Sequence, residues 1–433
     1  MPLHRRALLA GLGAGLSATL LPAFRADAGI ALAEASRNAG DRTPSELASE
    51  ESYWAQIARA FDVDRTLVNL NNGGCSPAPA HVLEAMIRDL RFSNEIPVYH
   101  MWNVLEPRIE SARRELATEF GCDPEEMAIV RNASEALETL ILGIDLKAGD
   151  EVVVTNQNYP RMITTWKQRE RRDGIVLKQI SFPVPPPSPG DVVERFRQAI
   201  TPRTRVIEVT HITNLTGQIL PVRDIIAMAR PKGIEVFVDG AHAFAHFPFR
   251  RDELDCDYYG TSLHKWLFAP IGTGFLYVRK AKQKSIWPLM AAPAAMDENV
   301  RKYEEIGTHP AANHNAISAA ILFHRSIGAE RKAARLRWLR DRWAMRVQSG
   351  SPRVHILTPL NDRDSCGIGF VHVDGIDTEK LQAWLWDKHR VMTTPIVHPE
   401  FNGLRVTPSV YTTPDEIDLF CEKMEQALKT GIA

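Results

Sequence analysis

In the stretch TSLHKWLFAPIGTGFLY, residues 261–277, a single lysine stands at the head of an apolar, glycine-punctuated run. Lys265 lies between His264 and Trp266, with Ser262 three positions earlier. Burial disfavours the charged form of a lysine, and the neutral amine that results is the nucleophile that forms Schiff bases with carbonyl compounds. The competing reading is a lysine whose stem covers the apolar run while its ammonium stays in water. This window alone leaves both open. Upstream, VFVDGAHAF (residues 236–244) ends a strongly apolar run on Asp239. A strand of that composition is buried in a sheet, so Asp239 belongs at the carboxyl edge, where open α/β folds bind ligands. Taken by itself, Asp239 reads as a helix N-cap, the role of most aspartates after strands, and that reading weakens because a lysine in an apolar setting follows 26 positions later. The His242 and His246 pair lacks the intervening glutamate of a zinc-peptidase helix. We read those two, His309 and His314, as no metal site.

The elements that must position these groups alternate along the chain. MAIVRN, DEVVVTN, GIVLKQISF, RVIEVTHI and IEVFVDGA read as strands. Helical patterns lie between them: ASEALETLILGID, YPRMITTWKQRERR, DVVERFRQAI and VRDIIAMARPKG. Valine- and isoleucine-rich strands separated by helices specify a mainly parallel sheet covered on both faces, an α/β core. PVPPPSPG (residues 183–190) is the one low-complexity piece and reads as a surface loop. From about residue 311 the pattern changes to long arginine-rich helices, then CGIGFVHVDG, TEKLQAWLWDKH and LRVTPSVY, which suit a smaller α+β domain.

At 433 residues, 44% hydrophobic and 24% charged, the chain is long enough for two or three packed domains. Its 52 basic residues are matched by 53 acidic ones, which excludes the basic surface that nucleic-acid binding requires. The N-terminus carries a twin arginine (Arg5, Arg6), an apolar glycine- and alanine-rich stretch over residues 7–24, and the small-x-small sequence Ala26-Asp27-Ala28. This reads as a twin-arginine export signal, with a periplasmic mature protein and no stable membrane anchor after cleavage. Five cysteines with no CxxC spacing suggest neither a disulfide framework nor a cysteine zinc site.

DCDYYGTSLHKWLFAPIGTGFLYV resembles the cofactor-lysine segment of the class V aminotransferase family, pyridoxal-phosphate enzymes of fold type I. Further blocks resemble that family in the same order: RNASEAL, NQNYPRM, HITNLTGQILPV, EEIGTHP and LRVTPSVYTTPDEID. The resemblance runs from LNNGG to the C-terminus and is nearest to the isopenicillin-N-epimerase-like branch. It implies that Lys265 holds pyridoxal 5'-phosphate as an internal aldimine and shuttles the Cα proton, and that Asp239 pairs with the ring nitrogen. It further implies phosphate contacts from the backbone of Ala133 and Ser134, from Ser262 and His264, and from Thr308 of a neighbouring subunit. Tyr159 would stack on the ring, Asn214 and His242 would contact its substituents, and Arg405 would clamp the substrate carboxylate, with Asn72 beside it. The family contact across subunits implies a homodimer.

The signal, the change of pattern and the extent of the resemblance together divide the chain into a signal (residues 1–33), a linker and arm (34–75), a large cofactor domain (76–310) and a small C-terminal domain (311–433). Cysteine desulfurases of the family need a mobile cysteine shortly before the carboxylate arginine, and HRVMTTPIVHPEFNGLRV has none. The expected activity is therefore a reaction at Cα of an amino acid or small peptide with a free amino group, of epimerase or aminotransferase type. A C–S or other β-lyase is the alternative, and a catalytically inactive binding protein on the same fold a more distant one. Polar and aromatic residues around NNGGC (residues 71–75) and VYHMW (residues 98–102) are candidates for the substrate pocket, Tyr99, His100 and Trp102 among them.

Overall fold

The computed structural model describes residues 37 and 39–432; the export-signal reading falls on residues outside these. Seven strands form the main sheet: β2 (Met127–Val130), β3 (Glu151–Thr155), β4 (Val176–Ile180), β5 (Thr204–Thr210), β6 (Glu235–Asp239), β7 (Tyr258–Ser262) and β8 (Gly274–Val278). A short preceding strand, β1 (Val68–Asn69), lies elsewhere. The order across the sheet is β2-β8-β7-β6-β5-β3-β4, with β8 antiparallel to both its neighbours and the other pairs parallel.

Side chains alternate across a strand, so each apolar run feeds two cores. Val236 and Val238 of β6 join Val153, Val209 and Phe275 on one face, packed against Leu116 and Phe120. Phe237 points to the other face, with Val152, Val154 and Leu276, packed against Leu137, Leu140 and Trp166. Strands covered on both faces read as continuous apolar runs, which is why the sequence announces them.

Helices fix the connections. Ala133–Gly143, α1, starts just after β2 and is capped by the Asn132 side chain, which accepts from the Glu135 N–H. Pro160–Asp173, α2, begins on a proline behind Tyr159 and ends on Gly174, whose φ of 72° is the left-handed conformation glycine tolerates best.

The C-terminal part builds a four-stranded antiparallel sheet of order β12-β13-β10-β9, from β9 (Val354–Ile356), β10 (Gly369–Val373), β12 (Thr394–Val397) and β13 (Asn402–Val406). β11 (Val391–Met392) instead pairs in parallel with β1, drawing residues 68–72 against this unit. The long helix α3 (Ala329–Gly350) places Leu339, Trp343 and Val347 in the core beneath the small sheet. Among the described residues, no helix is long and apolar enough to cross a membrane.

Candidate active site

The parallel strands β5, β6 and β7 end side by side on Thr210, Asp239 and Ser262, with Thr210 opposite Asp239 and Asp239 opposite Gly260. Gly240 follows because a Cβ there would lie 2.0 Å from the Tyr259 ring. A cavity of about 170 Å³ opens above these ends. Of the residues singled out in the sequence, Ala133, Ser134, Tyr159, Asn214, Asp239, His242, Ser262, His264 and Lys265 all line it.

Lys265 is half-buried, and its Nζ lies 2.9 Å from Nε2 of His242. Burial pulls its ammonium down to about 8; the Asp239 carboxylate opposes that shift and the Arg405 guanidinium adds to it. The free amine is therefore accessible near neutral pH. His242 is buried and held neutral, first by burial and then by the cations around it. Asp239 is 3% exposed; one oxygen accepts from the Ala241 N–H at 2.9 Å, capping a turn rather than a helix. Burial raises its carboxyl above the ordinary range, while the Ala241 N–H and the Lys265 amine oppose that shift.

The Ala133 N–H at the head of α1 donates to Ser262 Oγ at 2.9 Å. Ser262 keeps its own hydroxyl proton to donate, and the helix N-terminus beside it favours an anion. Nδ1 of half-buried His264 lies 3.3 Å from the Thr273 carbonyl oxygen. Arg405, on β13, is buried, and donates to the Asn214 carbonyl at 2.8 Å, to Asn71 Oδ1 at 3.0 Å and to Thr394 Oγ1 at 3.2 Å. Burial lowers its guanidinium to about 10, and it remains a cation at neutral pH.

Several buried polar atoms here have no protein partner: Thr210 Oγ1, Asn214 Oδ1, His242 Nδ1 and Arg405 Nε. Buried polar groups are ordinarily hydrogen-bonded, so orphans grouped around one cavity suit a polar ligand. A carboxylate at the sheet edge, an amine of lowered pKa and an anion-favouring helix terminus fit the ring nitrogen, aldehyde and phosphate of pyridoxal phosphate.

Three expectations need correction or placement. Asn72 does not face the site. Its side-chain amide donates to the carbonyls of Asn69 and Thr407, and its oxygen accepts from Tyr411 Oη, at 2.9, 3.1 and 2.6 Å, which uses it in tying β1 to the C-terminal segment. Asn71 takes the place beside Arg405. Tyr99 and Trp102 are exposed and do not line the cavity, and His100 stacks on Phe92 at 3.8 Å between centroids. Thr308 is exposed and lies outside the cavity of its own chain. Among the described residues, no group of three or more histidine, cysteine, aspartate or glutamate side chains could hold a metal ion.

Sequence reasoning missed Thr210, although the strand register that places it opposite Asp239 could have found it. It also missed Thr394, which with Asn71 of the NNGGC stretch steadies the arginine. Cys75, which closes the same NNGGC stretch, sits beside cavity-lining Gly74, with Sγ 3.8 Å from the His264 carbonyl oxygen.

Fold and site together define a fold type I pyridoxal-phosphate enzyme. Residues 68–395 match the model of the aminotransferase class-V family, and the chain belongs to that family. It is 28% identical to the isopenicillin N epimerase of Streptomyces clavuligerus, over 86% of this chain and 98% of that one. It is 30% identical to the isopenicillin N epimerase of Amycolatopsis lactamdurans, over 87% and 99%. Its backbone resembles the apo cysteine desulfurase of Thermococcus onnurineus NA1, with a TM-score of 0.75 at 21% identity, over 87% of this chain and 98% of that one. The cofactor is pyridoxal 5'-phosphate, and the substrates are amino-acid-like small molecules.

Proposed function

We propose that the enzyme removes and returns the Cα proton of an amino acid or small peptide with a free α-amino group, as an epimerase. The observation that carries this reading is the convergence of Lys265, Asp239 and Tyr159 on one cavity, with Arg405 bonded to the cavity-lining Asn214. Bound there, pyridoxal phosphate supplies the electron sink that makes the Cα proton labile. Asp239 would hold the ring nitrogen protonated, while Ser262, His264 and the α1 N-terminus would hold the phosphate. Arg405 would bind the substrate carboxylate as a planar fork. Lys265 Nζ would carry the proton on one face, with His242 fixing the amine from behind. Tyr159, at the head of α2 and 39% exposed, would serve the other face.

The near full-length likeness to two isopenicillin N epimerases supports this reading over persulfide chemistry. So does the absence of a cysteine from residues 391–404. The test is a screen of amino acids and short peptides for Cα–H exchange in deuterium oxide. Exchange with inversion is expected. Release of sulfide or pyruvate without inversion would replace the epimerase by a β-lyase, and undiminished racemisation by Tyr159→Phe would remove Tyr159 from the proton path.

We further infer a homodimer. Ile96, Val98, Tyr99 and Trp102 expose 57, 62, 57 and 47% of their surface within one short stretch, an apolar patch that a second copy would cover. Thr308, outside its own cavity, would then reach the neighbour's phosphate. Sedimentation equilibrium should give twice the chain mass, and Thr308→Ala should weaken cofactor binding. The twin arginine supports export to the periplasm, which cell fractionation of the full chain would check.

A further inference from the structure

A second lysine is buried more deeply than the first. Lys332, on α3, has 0% exposure and forms no ion pair with any described residue. Its Nζ donates to the Trp266 carbonyl and lies 3.9 Å from the centroid of the Phe268 ring. Burial holds its amine well below the ordinary lysine value, and the Cys366 thiol only partly opposes this. An amine so placed costs stability, and an apolar side chain of similar length would fill the same space without that cost. What an apolar side chain could not supply is a donor to the Trp266 carbonyl.

That carbonyl belongs to the loop that carries Lys265. The loop closes on itself through the Ala269 N–H, which donates to the Leu263 carbonyl at 3.1 Å. Phe268 within it has a φ of 64°, a left-handed conformation that costs a bulky residue energy and persists only when its surroundings hold it. The Trp266 indole stacks on His246 at 3.7 Å between centroids and 1° between planes. His246 is fixed in turn, its Nδ1 at 2.8 Å from the His242 carbonyl and its Nε2 accepting from the Gly367 N–H at 2.8 Å. The turn that carries His242 and the loop that carries Lys265 are thus joined behind the site, and Lys332 closes the loop side of the joint.

We propose that Lys332 is a positioning residue for Lys265: by holding the Trp266 carbonyl and the Phe268 ring, it keeps the 263–269 loop in the one shape that aims Lys265 Nζ at His242 and the cavity. This rests on Lys265 being the working amine. With the loop released, Lys265 regains water and its amine moves toward ordinary lysine behaviour.

The test uses the full chain freed of cofactor, comparing wild type with Lys332→Met. Lys265 is acylated with acetic anhydride across a pH series and its labelling read by mass spectrometry, alongside thermal unfolding and pyridoxal-phosphate affinity. The expected result is a labelling midpoint raised by about one pH unit, with affinity down roughly tenfold. Unfolding should stay within a few degrees of wild type. A wild-type midpoint and affinity in the variant, at whatever melting temperature, would reduce Lys332 to packing and overturn the proposal. Should Lys332→Met not be recovered folded, Lys332→Gln, one bond too short to reach the carbonyl, is judged by the same two readings. A wild-type chain that never binds pyridoxal phosphate would instead sink the proposed function, which the acylation midpoint does not depend on.

Discussion

Lys265 and Lys332 are both pushed toward the neutral amine by burial, yet their surroundings differ in kind. Around Lys332 there is no exposed surface: a carbonyl accepts its hydrogen bond and an aromatic ring lies against its amine. Around Lys265 the protein leaves about 170 Å³ open, rimmed by polar atoms that no other protein group satisfies. Structural networks perturb ionisation as readily as active sites do. A lowered lysine pKa is therefore no signature of chemistry by itself. Unmet hydrogen-bonding capacity grouped around one open volume is the better one, because buried polar groups are ordinarily paired and orphans gathered on a single cavity suit a ligand.

The largest contrast should come from deleting the two amines. Lys265→Ala should lose the borohydride-bleachable yellow band and lower turnover by at least about 10²–10⁴-fold, while melting near wild type. A variant that stays yellow and active would end the assignment. Asp239→Asn keeps the shape of the site but removes the charge proposed to pair with the ring nitrogen. Turnover should fall by about 10²–10³-fold, the usual scale for losing one preorganised electrostatic partner, with the yellow band retained but displaced. Arg405→Leu would remove the proposed carboxylate clamp, together with its bonds to Asn214, Asn71 and Thr394. The KM of whichever amino acid exchanges its Cα proton should rise on the order of 10–100-fold, corresponding to about 1.5–3 kcal/mol for hydrogen bonds to a charged group. A fall in kcat with KM unchanged would place Arg405 elsewhere in the mechanism.

A smaller effect separates the lysines by pH. With its midpoint at about 8, Lys265 is protonated below that pH and a free amine above it, so only the deprotonated fraction can capture the cofactor aldehyde. Stopped-flow reconstitution of the cofactor-free chain should be about tenfold faster at pH 9 than at pH 7. Lys332, sealed from water, should resist acylation in the folded chain at both pH values. A pH-independent capture rate, or labelling of Lys332 before unfolding, would erase the distinction.

How much of this the sequence discloses depends on what surrounds each element. β3, β5 and β6 are buried on both faces, and their apolar runs are legible. The helix Ala80–Glu95 escaped the sequence reading: no side chain caps its start, and it leaves Leu83 and Leu90 43 and 39% exposed, blurring its apolar face. β12, with a proline and no fully buried residue, has no pattern to read. Asp239 and Lys265 were found because each terminates or heads such a run. The back of the site, Lys332 and the His246–Trp266 stack, could not be, since it joins segments far apart in the chain with no shared motif.

The adjacent asparagines show the limit most sharply. Asn71 and Asn72 are chemically identical, and only the direction of the chain after β1 decides which one meets Arg405. Asn72 is 1% exposed and ties β1 to Thr407 and Tyr411, so Asn72→Ala should cost about 1–3 kcal/mol in denaturant unfolding and leave KM as it was. Asn71→Ala should do the reverse, loosening the guanidinium and raising KM severalfold with little change in stability. If Asn72→Ala raised KM and Asn71→Ala did not, Asn72 would be the residue that meets the arginine, and the chain would have to turn one residue later after β1 than it does.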